Sequence, residues 1–224
     1  MFVKLVRRTL ISIVVMALLL FVPAGIIDWP SAWIFLASQL ALSLAGGAWL
    51  AQSDPELLEE RLKPLFQQGQ STSDKIVIVL LVALGISLFI VMGLDRRFGW
   101  SHVPLWVQIL GALLLVPMGV LSYLTFRENR FAAAVVRVQK ERGHRVIATG
   151  PYAYVRHPMY LGAIFFGLGT PLMLGALSGL IVSALLVVLL GVRAVLEERT
   201  LAAGLPGYAD YAKRVRYRLI PRVW

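Results

Sequence analysis

Between Gly150 and Gly162 the chain reads GPYAYVRHPMYLG, which sets Arg156, His157 and the tyrosines Tyr152, Tyr154 and Tyr160 against the start of an apolar stretch. Glu197 and Glu198 close the apolar stretch that follows. An imidazole, a guanidinium and two carboxylates at the edge of a hydrocarbon layer are costly to place, so a ligand site is sought there first. Gly150-Pro151 supplies a tight turn, and aromatic faces beside exposed helix-start amides suit a polar, aromatic ligand. Adjacent carboxylates concentrate negative potential, which suits an ammonium, ribose hydroxyls or a sulfonium. Each residue also has a plainer reading. Pro158 fits a first helical turn, and Arg156 a positive loop. Glu197 lies four residues after Arg193, a pairing worth about 0.3 kcal/mol. Gly162, Gly167 and Gly169 permit either helix packing or close approach of a ligand to backbone.

Other chemistries are missing. With no cysteine among 224 residues, disulfides, thiolate nucleophiles, Cys-ligated zinc and iron–sulfur clusters are excluded. No His-x-x-x-His spacing points to a metal, and His102 and His144 are weak signals. Hydrolase elbow, P-loop and soluble-type dinucleotide fingerprints are absent.

These residues must be positioned by membrane helices. The chain is 58% hydrophobic with a mean hydropathy of +0.77, well above the usual soluble composition. It reads as an all-α integral membrane protein of six transmembrane helices: Leu10–Ile27, Ala32–Ala51, Ile76–Leu94, Pro104–Phe126, Met159–Leu177 and Gly179–Leu196. Each is long enough for a ~30 Å core, and no ten-residue alternation suggests a barrel. Pro117 predicts a kink in the fourth. All of the 22 Lys and Arg residues except Arg96 and Arg97 fall on one face, which places both termini in the cytoplasm. The net charge of +10 therefore reflects topology and anionic lipid, with no nucleic-acid partner expected. The basic start and Val22-Pro23-Ala24 read as an uncleaved signal anchor.

Shorter elements follow from local signals. Asp54 as N-cap before Pro55 predicts a short interfacial helix ending near Leu62, before Pro64. Val135–Gln139 and Arg145–Thr149 flank a turn and predict a small hairpin. After Gly204 and Pro206, the spacing of Tyr208, Tyr211, Ala212 and Val215 predicts an amphipathic helix on the headgroup surface. Residues 1–126 would thus hold four spans with a cytoplasmic loop at 52–75. Residues 127–224 would hold the functional core.

The order Gly150-Pro151-Tyr152, Arg156-His157-Pro158-Met159-Tyr160-Leu161-Gly162, Glu197-Glu198, Tyr208, Tyr211 and Arg218-Leu219-Ile220-Pro221 resembles the isoprenylcysteine carboxyl methyltransferase family and the related phospholipid N-methyltransferases. The likeness runs from about Arg127 to Pro221, and Asp54–Pro64 also looks like bacterial members. It implies an S-adenosylmethionine-dependent methyltransferase, O-methylation favoured over N-methylation, in a bacterial inner membrane with its active site facing the cytoplasm. Tyr152, His157, Tyr160, Gly162, Gly167, Gly169, Glu197 and Glu198 would surround the cofactor. Arg156, Arg193 and Glu198 would be the catalytic residues, either arginine holding an acceptor carboxylate. A lipophilic acceptor would arrive from the bilayer. Two rivals remain. Val215–Pro221 also looks like NADPH-dependent membrane sterol reductases, and a lipid-binding protein could keep the fold without the chemistry. Oligomeric state and acceptor are not legible in the residues.

Overall fold

Helix ends in this chain are marked by identifiable caps, and the caps set the architecture. A computed structural model describes residues 1–224. Its helices are α1 (Phe2–Ala24), α2 (Pro30–Ser53), α3 (Pro55–Arg61), α4 (Thr72–Phe98), α5 (Leu105–Glu128), α6 (Pro158–Leu174), α7 (Gly179–Gly204) and α8 (Tyr208–Arg214). Asp54 caps α3 as expected, its carboxylate accepting from Leu57 N at 3.0 Å. Ser71 caps α4 by accepting from Asp74 N at 3.1 Å. α5 runs through Pro117 without a break.

Five helices are long and apolar enough to cross a membrane: α1, α2, α4, α5 and α7. The expected fifth span, α6, has 17 residues and rises only about 25 Å. It is short because Pro158 opens it after a folded-back polar strip and Gly175, at φ +70°, ends it early. Of the six expected spans, five reach a crossing length and α6 is a shorter apolar helix. The chain traverses back and forth, so both termini lie at one end. Leu5 near the N-terminus packs there with Leu50, Leu57, Leu58 and Leu62. This basic end also carries the 129–157 connection and α8.

The main core lies toward the opposite end, around Leu20, Phe35, Leu88, Met92 and Leu174. Trp29 Nε1 donates to Leu174 O at 3.2 Å, tying the α1–α2 turn to the end of α6. Asp95 accepts from Ser101 Oγ at 2.7 Å and Ser178 N at 3.0 Å, fastening three more segments. α5 and α6 approach most closely. A Cβ on Gly111 would meet Met173 N at 2.3 Å, and one on Gly169 would meet Gly111 O at 2.8 Å. Small residues at such a seam let backbones touch.

Two local expectations are corrected. No strand forms at 135–149. A single 3₁₀ turn, Lys140–Arg142, reverses the chain; Gln139 and His144 bond across it, while Val136 N and Thr149 Oγ1 bond outward to Asp74 and Glu128. The tyrosine face of α8 turns into the protein, with Tyr208 and Tyr211 packed beside Leu205 and Tyr152.

Candidate functional site

Gly150 begins the site. Its φ of +58° and the 2.4 Å gap between a built Cβ and Glu128 Cγ leave room only for glycine. The strip then winds through a 3₁₀ turn, Gly150–Ala153, that wedges Tyr152 between α5 and α8. The Tyr152 hydroxyl accepts from Asn129 Nδ2 at 2.8 Å, and its carbonyl accepts from Tyr211 Oη at 2.8 Å. His157 precedes α6, with Pro158 in the first turn. The amides of Arg156 and His157 do not stand free: they donate to Tyr217 O at 3.0 Å and Arg218 O at 2.9 Å. The C-terminal tail thereby closes over the strip.

The two adjacent glutamates meet different fates. Glu198 faces Arg156 Nε at 2.8 Å, Arg218 Nε at 3.0 Å and His157 Nε2 at 3.2 Å. Glu197 accepts from Tyr160 Oη at 2.6 Å and lies 3.8 Å from His157 Nδ1. The rings of His157 and Tyr160 stack at 5.1 Å, nearly parallel. One helix turn back, Arg193 pairs with Asp74 of α4 at 3.3 Å and donates to Ala134 O at 2.7 Å. It does not reach along its own helix to Glu197.

A strap, residues 131–136, crosses this wall and is anchored at every second residue from Ala132. Arg61 donates to Ala132 O at 2.9 Å, Arg193 to Ala134 O, and Val136 N donates to Asp74 Oδ2 at 3.2 Å. Beneath the strap is a cavity of about 410 Å³, within the usual range for small-molecule sites. Its polar wall includes Tyr152, Arg156, His157, Tyr160, Glu197, Tyr208 and Tyr211. Its apolar wall includes Ile78, Leu81 and Val82 of α4, Leu65 and Met159. Ile76, Val79, Leu80 and Val82 are exposed on the outside of α4, so the apolar wall belongs to a lipid-compatible helix.

Burial and charge tune the groups here. Burial pushes the phenols of Tyr152, Tyr208 and Tyr211 up, and the carboxylates of Glu198 and Glu197 add to this at Tyr208. All three stay protonated at neutral pH. Burial lowers His144, whose Nδ1 accepts from Gln139 N at 3.3 Å and whose ring stacks on Phe131 at 4.6 Å. Burial also brings Arg61 down to about 10. The Tyr208 hydroxyl is buried and has no partner.

The structure brings Tyr152, Arg156, His157, Tyr160, Arg193 and Glu197 to one cavity. Other expected site residues go elsewhere. Glu198 is not among the lining residues, because Arg156, Arg218 and His157 hold it behind the wall. Gly162 faces Met118 and Leu121, Gly167 faces Ser183, and Gly169 faces Gly111 and Leu115. These glycines serve helix seams, and none lines the cavity. Arg156 and Arg193 reach the cavity but already hold carboxylates. The sequence reading missed Arg61, Asp74, His144 and Tyr208 as site residues. A signal existed for Asp74: Ser71-Thr72-Ser73-Asp74 has capping-box spacing before an apolar run.

Residues 129–203 match the isoprenylcysteine carboxyl methyltransferase family. Two curated relatives are named protein-S-isoprenylcysteine O-methyltransferase. That of Schizosaccharomyces pombe is 35% identical over 83 residues, covering 36% of this chain and 35% of the relative. That of Saccharomyces cerevisiae is 34% identical over 80 residues, covering 35% and 34%. The chain thus spans about a third of the length of the curated relatives it matches. The matched stretch 129–203 contains the strap, the His157 strip and the Glu197-Glu198 pair, and in that stretch the chain is similar to the isoprenylcysteine carboxyl methyltransferase family.

Proposed function

We propose that this integral membrane protein transfers a methyl group from S-adenosylmethionine to the carboxylate of a lipophilic acceptor of the isoprenylcysteine type, such as the modified end of a lipidated protein. The observation that carries the reading is the cavity with one polar and one apolar wall, most of it built from the family-matched stretch. The basic end faces the cytoplasm in this reading, since cations collect on the inner side of a membrane. Residues 127–224 act as the catalytic core, leaning on α5 and α4.

The residues present fit the cofactor. Tyr208 offers a buried, unpartnered hydroxyl. Glu197 has one oxygen engaged by Tyr160, which leaves the other for an ammonium or ribose hydroxyls. The stacked His157–Tyr160 pair offers an aromatic surface, and Val146, Leu201 and Leu205 supply apolar wall for a base. When bound, the cofactor supplies a methyl group on a sulfonium, which a carboxylate oxygen takes while the carbon–sulfur pair returns to sulfur. The protein's part is alignment, and alignment is the larger share of catalysis for such a displacement. A carboxylate is ionised at neutral pH, so no side chain has to remove a proton. Glu198 keeps Arg156, His157 and Arg218 in place, and so holds the His157–Tyr160 wall and the closing tail. The strap and apolar residues keep water from the reacting groups.

The test is thermal stabilisation of purified protein by S-adenosylhomocysteine and by NADPH, since a ligand of the native state raises apparent stability. Stabilisation by the former alone is expected, with loss in Glu197→Gln. Stabilisation by NADPH alone would assign the protein to the reductase class, and none by either would favour a lipid-binding role.

A further inference from the structure

Five arginines line the cavity: Arg61, Arg137, Arg145, Arg156 and Arg193. Three are committed. Arg137 pairs with Glu60 and Glu141, Arg156 with Glu198, and Arg193 with Asp74. Arg145 is exposed, so water competes for any anion it meets. Arg61 differs from all of these. It has no carboxylate partner, one nitrogen donates to Ala132 O, and its guanidinium lies 4.4 Å from the centroid of Phe126. A half-buried cation that lies against an aromatic ring with no counter-charge beside it gains from an arriving anion. Burial alone already draws its pKa down toward about 10, and it remains charged at neutral pH.

The surroundings narrow what arrives. Arg61 ends α3 and shares the cavity with Leu65 and with Ile78, Leu81 and Val82 of α4. An anion bound there would have an apolar chain beside it on the lipid-facing helix. Planar carboxylates match the guanidinium fork, with up to two parallel hydrogen bonds. We infer that Arg61 is the acceptor-binding residue: it receives the acceptor's carboxylate while the acceptor's tail lies along α4. The inference rests on the proposed methyl transfer, and it moves the carboxylate-binding role from Arg156 and Arg193 to a residue outside the family-matched stretch. Acceptor recognition would then rest on a residue apart from the cofactor wall, and the same arginine pins the strap over the shared cavity.

The experiment uses full-length protein in detergent with N-acetyl-S-farnesylcysteine and its carboxamide. Methyl incorporation by the wild type tests the proposed function on its own. Competition binding of the two compounds, in wild type and Arg61→Gln, tests Arg61. Wild type should prefer the carboxylate about 10- to 100-fold, as expected for a charge-assisted bond. Arg61→Gln should remove that preference, leave carboxamide binding intact and raise KM for the carboxylate with little change in kcat. Arg61→Lys, which keeps the charge and loses the fork, should fall between; it serves as the test if Arg61→Gln does not fold. A role confined to holding the strap would weaken both compounds equally, and that result overturns the inference. So does a wild-type preference retained in Arg61→Gln, or one lost instead in Arg145→Gln. Loss of methyl incorporation in the wild type, with carboxylate preference still dependent on Arg61, would overturn the methyl-transfer reading and leave the anion site standing.

Discussion

Glu197 and Glu198 are neighbours in sequence with the same side chain, yet they should fail in opposite ways. In Glu198→Gln the carboxylate that faces Arg156, His157 and Arg218 loses its charge. The Arg156 side chain is only 7% exposed, so water cannot replace what it loses. Removing one partner of a buried ion pair costs about 3–5 kcal/mol. The low end applies here, about 3 kcal/mol, because Ala212 O and Val215 O still accept from Arg156 and the amide keeps one acceptor oxygen. Glu197→Gln disturbs a single bond from Tyr160 at a carboxylate that is 26% exposed, a cost of about 1 kcal/mol. The difference of about 2 kcal/mol corresponds to a gap in melting temperature of roughly 4–8 °C for a chain of this length. Binding should show the reverse order at a temperature where both variants are folded. Glu197→Gln should lose about tenfold or more in affinity for S-adenosylhomocysteine, while folded Glu198→Gln should lose less. Thermal melts in detergent followed by titration calorimetry read both quantities. Equal melting temperatures, or a Glu198→Gln variant that melts like wild type and does not bind, would refute the division of labour.

Three further outcomes are expected. Tyr208→Phe removes a buried hydroxyl that has no partner in the ligand-free protein; it should leave stability unchanged or slightly raised, yet weaken S-adenosylhomocysteine binding in the same calorimeter. Gly111→Ala places a methyl 2.3 Å from Met173 N and 2.7 Å from Leu172 Cβ, and should destabilise by about 1–3 kcal/mol through overpacking, read by thermal melts. His144 is held below its ordinary 6.5 by burial, so between its folded value and 6.5 the unfolded chain carries the extra proton. Its contribution to stability is complete above pH 6.5 and fades as pH falls toward the folded value. The difference in melting temperature between wild type and His144→Phe should change in that window and be flat above it.

The parts of the fold that were readable in the sequence are those set by near neighbours. Asp54-Pro55 marks the start of α3, and Gly204 and Pro206 mark the end of α7. The apolar runs locate each long helix, although α1 begins at Phe2, well before its run at Leu10. The errors arise where a distant partner decides. Met159–Leu177 looks as long as the other apolar runs, but its start is fixed by a strip bonded to the C-terminal tail. The tyrosine face of α8 has the pattern of a lipid-facing surface, and only the position of Tyr152 and Leu205 shows that protein covers it. The site divides the same way. His157, Tyr160 and Glu197 are recognisable because the motif keeps them at fixed spacing. In the sequence Arg193 reads as a partner of Glu197 or of a substrate carboxylate, because its actual partner, Asp74, is far away in the chain. Arg61 looked like one more basic loop residue because the lack of a carboxylate beside it is visible only in three dimensions.

In the proposed reaction, donor and lipophilic carboxylate meet in the cavity beneath the strap. The most direct test is to incubate the purified protein with methyl-labelled S-adenosylmethionine and N-acetyl-S-farnesylcysteine, extract the lipid product and treat it with alkali. Methyl transfer to the carboxylate gives labelled product whose label is released as methanol by base, the behaviour of a methyl ester. Label that survives alkali, as on an amine, or no label transferred by protein that binds both compounds, would contradict it.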